Sequence, residues 1–312
     1  MRGVLCLGRI LDRLTSWWFW ISALLIGTLL VLFFIMLGDQ SGASISKFSW
    51  KFLFTSTWDP VHQIFGALPF LYGTAMTSLF AIVFGGVIGI ASALFLVYFT
   101  RGRLRVILGT FIELLAAIPS VVYGLWGLFV LSPWLQNYGE PFLARVLGFL
   151  PLFHGMPVGV GYLAAGIILS VMIIPTVTSI TRDILLAVPQ DLHEGGLALG
   201  ATEYEVIRNI SLPYARAGII GGLMLGLGRA FGETIAVTMV IGNRPEISAS
   251  LFAPGYTMAS VIANEFTEAT SHLYISSLYE VGLVLLVVTI LFFGVARLLI
   301  WRVSHVQKGR MV

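Results

Sequence analysis

Charge is scarce in this chain. Only 11% of its 312 residues are charged, against about 25% in a typical soluble domain, and 58% are hydrophobic. That balance excludes a water-soluble globular fold and predicts an integral membrane protein. Cysteine occurs once, as Cys6, which excludes an internal disulfide and a thiolate metal site. The five histidines, His62, His154, His193, His272 and His305, are dispersed with no i, i+4 pair, so they read as structural or solvated residues and no metal is expected. Lysine occurs only as Lys47, Lys51 and Lys308, and no G-x-x-x-x-G-K-[ST] segment exists to cradle ATP phosphates. "HEGGL" begins like a zinc-protease helix, but Leu197 stands where a second histidine must close the metal site. "GLGRAFG" is one residue too long for a dinucleotide fingerprint and follows no strand. With no G-x-S-x-G elbow either, an enzyme has nothing to stand on, and no cofactor is expected.

What the chain has instead is long apolar runs. A span needs about 20 such residues, and six stretches qualify: 17–37, 70–99, 108–131, 158–180, 215–241 and 278–300. The first is longer than the roughly 7–15 residues of a signal-peptide core, so it reads as an uncleaved anchor. The expected organisation is a tail at 1–16, a first transmembrane helix at 17–37, a periplasmic segment at 38–69, a transmembrane domain at 70–302 and a tail at 303–312. Thirteen basic residues, among them Arg2, Arg101, Arg103, Arg105, Arg182, Arg208 and Arg310, fall on the side of the termini. Four (Lys47, Lys51, Arg145 and Arg244) fall on the other, and Arg229 falls within a span. This imbalance predicts cytoplasmic N and C termini. Trp17, Trp18, Trp20, Trp134 and Trp301 suit interfacial anchors.

The loop between the fourth and fifth spans is polar and punctuated. Pro189 stops one helix, and Asp191 with Glu194 forms a D-x-x-E pair that predicts a capped short helix. Gly200 supplies a left-handed stop. Thr202 with Glu205 opens a further helix, which Pro213 is expected to close. Small-residue pairs (Gly85 with Gly89, Gly222 with Gly226, Gly228 with Gly232) predict close helix packing. Pro119 and Pro175 predict kinks in the third and fourth spans.

Within this loop, at 182–213, Glu194, then Gly200, then "ISLP" ending in Leu212 and Pro213, resembles the EAA loop of ABC-transporter permeases. In that family a short helix sits in a cleft of the ATPase, so the resemblance implies that Glu194, Gly195, Gly196, Gly200, Leu212 and Pro213 take part in ATPase coupling. Gly195-Gly196 departs from the small, often Ala-Ala, residues that the family has there, and costs about 2 kcal/mol of helix propensity. The segments "FGALPFLYGTAMTS", "AAIPSVVYGLWG", "LGFLPLF", "GRAFGETIAVTMVIGN" and "SLFAPGYTMASVIANEF" extend the likeness from about Trp50 to Arg302. They resemble PstC, the family of permease subunits of bacterial phosphate ABC importers in the inner membrane. The resemblance implies an all-α, six-span type I ABC importer permease fold with a cytoplasmic coupling helix. It implies a PstA-like sister permease, two PstB-like ATPase subunits and a PstS-like periplasmic phosphate-binding protein as partners, with phosphate as cargo. A sulfate or molybdate permease is the alternative within the class; an intramembrane enzyme or a self-sufficient channel is the alternative outside it.

Arg229 and Glu233 stand in the middle of the fifth span, where each costs roughly 2.5–3.5 kcal/mol by insertion scales. At i, i+4 they are expected to share one helical face and pair. Such residues mark a substrate pathway or a structural ion pair, and the resemblance implies the pathway, with phosphate competing with Glu233 for Arg229. Glu113 is expected to cap the third span or pair with Arg101, Arg103 or Arg105, and Glu280 to reach the interface. Asn243, Asn264, Glu265 and Glu268 lie on the outer side, within reach of a binding protein.

Overall fold

The computed structural model describes residues 2–308, so Arg310 and the end of the C-terminal tail lie outside the described residues. Its elements are helical: α1 (Arg2–Gln40), α2 (Gly42–Phe48), α3 (Lys51–Phe54), α4 (Leu68–Phe99), α5 (Gly102–Ala117) and α6 (Ser120–Leu147). They continue with α7 (Tyr162–Leu186), α8 (Gln190–Ala198), α9 (Glu203–Gly232), α10 (Ile235–Val240), α11 (Met258–Glu265) and α12 (His272–Lys308). Five helices are long and apolar enough to cross a membrane, or six if α5 and α6 form one bent crossing. Helix α1 is continuous from Arg2, so no boundary separates the expected tail from the first span.

Proline placement explains much of the helix geometry. Pro133, Pro141 and Pro213 each stand two residues beyond a π-helical turn, at Gly127–Leu131, Leu135–Gly139 and Ile207–Ser211 respectively. A proline has no N–H for the i−4 carbonyl and its ring collides with that carbonyl; a widened turn moves the carbonyl aside. Pro213 therefore does not close the helix it was expected to close, and α9 runs through it to Gly232. Pro175 lies buried inside unbroken α7. Pro119 acts differently. It and Ile118 take extended ψ values of 142° and 127°, as the residue before a proline prefers, and α5 and α6 meet at 90°.

The bundle is built around α7. Of its apolar window 67% is buried, against 6% for α1 and for α12. Two neighbours reach it through glycines. A Cβ on Gly85 would lie 2.6 Å from the Ser170 carbonyl oxygen, and one on Gly89 2.9 Å from Val177. From the other side, Cβ atoms on Gly222 and Gly226 would lie 3.0 Å from Ile180 and 2.9 Å from Val177. Without side chains there, α4 and α9 approach α7 closely enough for dispersion contacts to replace the hydrophobic drive that lipid does not supply. Thr178 Oγ1 adds a 3.1 Å hydrogen bond to the Gly89 carbonyl.

The first turn of α7 has no side-chain cap. Its amides are satisfied by the chain that follows α10: Tyr162 and Leu163 donate to the carbonyls of Ala253 (3.2 Å) and Leu251 (2.7 Å). This strap lies flat because Gly242, at φ +89°, turns it and because Gly255 and Gly73 leave room, the first for the Tyr162 ring and the second for the Tyr256 carbonyl. A Cβ on Gly73 would run into that carbonyl oxygen. Gly73→Ala should therefore destabilise the protein by about 1–3 kcal/mol, the usual range for overpacking, and lower the thermal midpoint of the detergent-purified chain. Gly27→Ala, with nothing within 4 Å, should leave that midpoint unchanged or slightly raised.

Candidate functional site

The run 215–241, expected to be one span, is two helices. Glu233 leaves the helical region at ψ 122°, and α10 begins only at Ile235. Arg229 sits in the last turn of α9, where its Nη1 donates to Thr176 Oγ1 of α7 at 3.4 Å. Glu233 instead turns toward α10, its Oε1 accepting from the Ala236 amide at 3.3 Å. A carboxylate at that end satisfies an orphan amide and complements the helix dipole. The expected Arg229–Glu233 pair is thus absent: i, i+4 pairing needs a helix through both residues, and the backbone breaks at the second one.

A second break lies beside the first. The start of α6 packs on α10, with Gly124 against Met239 and Ala236, and Gly127 against Val240. Tyr123 donates its hydroxyl hydrogen across the Pro119 bend to the Leu115 carbonyl at 2.9 Å, an acceptor it shares with the Ile118 amide at 3.4 Å. Arg229 and Thr176 therefore meet beside the break at Glu233. The guanidinium's hydrogen bond to Thr176 is long compared with the usual ~2.9–3.0 Å, and its planar fork suits a tetrahedral oxyanion. Thr176 and Tyr123 were not singled out by sequence reasoning; only the "AAIPSVVYGLWG" segment contained either of them.

At the opposite site, α8 begins after Pro189 without a side-chain cap. Asp191 lies inside its first turn, two positions too far along to act as the N-cap, because Pro189 occupies that place. Gly200 adopts φ +87°, and Thr202 with Glu205 forms the full reciprocal box: Glu205 N donates to Thr202 Oγ1 at 3.3 Å and Thr202 N to Glu205 Oε2 at 2.8 Å. The two glycines differ. A Cβ on Gly196 would lie 2.8 Å from Ile210 and 2.9 Å from Val206, whereas one on Gly195 meets nothing within 4 Å. Gly196 lets α8 dock on α9; Gly195 and Glu194 face outward. Leu212 is half-buried and Pro213 exposed.

Three other carboxylates depart from expectation. Glu113 pairs with Arg182 at 3.1 Å, not with Arg101, Arg103 or Arg105, because α5 crosses α7 at that level. Glu280 is buried, 6% exposed, since α2 folds over α12: Ser44 donates its amide to Ser276 Oγ and its hydroxyl contacts Ser277 Oγ, both at 3.1 Å. Glu265 is committed inward: its Oε2 accepts from Trp58 Nε1 and from the Tyr274 hydroxyl, each at 2.7 Å. Burial pushes the Glu265 carboxyl above its ordinary range, against the pull of those bonds. Asn264 donates to the Tyr256 hydroxyl at 2.6 Å and Asn243 to the Thr238 carbonyl at 3.0 Å, while Glu268 is exposed.

A type I ABC importer permease fold, all-helical and crossing the membrane several times, is the class that this architecture defines. A chain of the MetNI methionine ABC transporter, solved in inward-facing conformations, superposes with TM-score 0.55 at 18% identity, covering 79% of this chain and 99% of that one. Residues 85–305 match the family of binding-protein-dependent transport system inner membrane components, and the chain belongs to that family. Its relatives include the phosphate transport system permease protein PstC of Mesorhizobium japonicum, 46% identical over 91% of this chain and 88% of that protein. The PstC protein of Haemophilus influenzae is 43% identical over 92% of both chains. The probable PstC protein of the archaeon Methanocaldococcus jannaschii is 36% identical over 88% of this chain and 91% of its own.

Two outcomes test these placements. Gly196→Ala should loosen α8 from α9, while Gly195→Ala should firm the isolated helix by about 1 kcal/mol and leave α8 docked on α9; hydrogen exchange at 190–198 separates the two. Glu265→Ala should strand two buried donors and cost about 1–3 kcal/mol each, whereas Glu265→Gln, which keeps an acceptor oxygen, should lose much less in a thermal melt.

Proposed function

We propose that the chain is the membrane-spanning permease subunit of an ATP-driven phosphate importer in the bacterial inner membrane. The observation that carries this reading is Arg229: an intramembrane guanidinium beside an interrupted helix, with no carboxylate within ion-pair distance among the described residues. Ionisable groups at membrane depth normally line a pathway, and a lone cation attracts an anion. The names of the relatives supply the particular anion, phosphate. In this conformation Glu233 does not hold Arg229; it fixes the start of α10 and so the shape of the break. Competition between phosphate and Glu233 for Arg229 then belongs to another conformation of the cycle.

The partners follow the same reading. A PstA-like permease pairs with this chain, and two PstB-like ATPases dock at the α8 end, where Glu194 and Gly195 face outward, and hydrolyse the ATP that this chain lacks the motif to bind. A PstS-like protein delivers phosphate to the other face. This reading puts both termini and α8 in the cytoplasm, the side favoured by the basic residues at 101–105, 182 and 208.

Labelled-phosphate uptake in phosphate-starved cells lacking the chain tests this. Restoring the chain should restore uptake, unaffected by excess sulfate or molybdate. Arg229→Gln should lower uptake by about tenfold or more at equal amounts of folded protein, the loss expected when a hydrogen bond to a charged group is removed. Uptake that survives Arg229→Gln would contradict the pathway role, and uptake never dependent on the chain would contradict the phosphate reading.

A further inference from the structure

Helix α8 touches the rest of the chain at Gly196 and at His193. The first is Gly196, packed on Val206 and Ile210 of α9. The second is His193. Its ring lies parallel to that of Tyr98, with centroids 5.8 Å apart and planes inclined by 14°. Its Nε2 stands 3.1 Å from Glu203 Oε2 at the start of α9. Tyr98 belongs to the last, π-helical turn of α4, Phe95–Phe99. That turn is itself held: Arg105 of α5 donates through Nε to the Thr100 carbonyl at 3.1 Å and through Nη2 to the Val97 carbonyl. Between these groups lies a cleft of about 340 Å³ lined by Val97, Tyr98, Arg105, Leu185, His193 and Glu194.

The placement matters because α4 and α9 both grip α7 through glycines. A displacement of α8 passed on through Gly196 alone would move α9 and leave α4 behind, shearing the Gly85–Gly89 contact against the Gly222–Gly226 contact. We infer that His193 is a positioning residue that carries movement of α8 to α4 through its stack on Tyr98, with Glu203 fixing the ring plane, so that both helices follow α8 together. This rests on the proposed permease function, because that is what makes α8 the point where force enters. His193 touches no cargo. The polar groups facing it are Glu203 on α9, Tyr98 on α4 and, across the cleft, Arg105 on α5, with Glu194 beside it on α8.

The test uses the assembled transporter with its sister permease and ATPases in liposomes, and reads phosphate moved per ATP hydrolysed. His193→Ala and Tyr98→Ala should each keep the ATPases bound and basal hydrolysis intact, while lowering that ratio roughly fivefold or more, the lower end of typical site-to-site coupling. The double variant should be no worse than either single, since both remove one contact. His193→Phe, which retains the stack, should restore much of the ratio; His193→Gln, which keeps a polar contact to Glu203 but no ring, should not. A wild-type ratio in His193→Gln, a double variant that multiplies the single losses, or less protein at an unchanged ratio would each overturn the inference. Spin labels at Phe99→Cys and Leu186→Cys, in a Cys6→Ser background, give a readout independent of the anion carried. The ATP-driven change in their separation should shrink in His193→Ala, and a wild-type change there would also overturn it. A wild-type transporter that moves no phosphate but shows the label response would count against the cargo assignment and leave the transmission standing.

Discussion

Everything else in this fold depends on how closely two helices approach α7. In water, burial of apolar surface would hold such a bundle together, but lipid tails are as apolar as leucine, and packing must supply the attraction. Glycines at 85 and 89 on one side and 222 and 226 on the other bring backbone within contact of Ile173, Val177 and Ile180. In the outer helices α1 and α12, by contrast, only 6% of the most apolar stretch is buried. The result is a rigid centre with a loosely covered periphery, in which any rearrangement must slide α4 or α9 along α7. Glycine faces allow such sliding because no side chain has to climb over another.

Interrupted helices are tolerated at membrane depth only where their freed backbone groups find partners within the protein. Both breaks satisfy that condition with local side chains. The Tyr123 hydroxyl serves the Leu115 carbonyl at the Pro119 bend, and Glu233 with the Thr234 hydroxyl serves Ala236 N and Gly232 O at the other. At both places the backbone gives up regular hydrogen bonding, and Arg229 stands in the last turn before the second. Proximity of a cation to an interruption is what turns a packed bundle into a candidate conduit for an anion. The strap at 242–257, which caps α7 by its own carbonyls, covers the end of the bundle opposite α8.

Much of this was legible in the sequence, and the failures have physical causes. Apolar runs located the spans because the bilayer imposes a length, and Thr202 with Glu205 located a helix start because both halves of the reciprocal cap are local. Glycine spacing located the α4–α7 and α9–α7 contacts. Local rules failed where distant neighbours decide the backbone. Pro213 does not end α9, because a π-helical turn two residues earlier absorbs it. The 90° bend at Pro119 exceeds a simple kink, because α6 leaves to pack on α10. Arg229 and Glu233 share a spacing but not a helix, and no periodicity reveals that the chain turns extended at 233. Glu280 and Glu265 looked like surface carboxylates, since what buries them, α2 folded on α12 at Ser277 and the Trp58 ring, lies more than 200 residues away in the chain.

The proposed pathway places an anion at Arg229, beside Thr176, reached from alternating sides. Cys6 is the sole cysteine, so Thr176→Cys in a Cys6→Ser background places a single reactive thiol beside Arg229. In sealed vesicles of the assembled transporter, a charged, membrane-impermeant thiol reagent should label it from one face without nucleotide and from the other with ATP bound, and saturating phosphate should slow labelling in either state. A labelling rate indifferent to nucleotide and to phosphate would contradict the account.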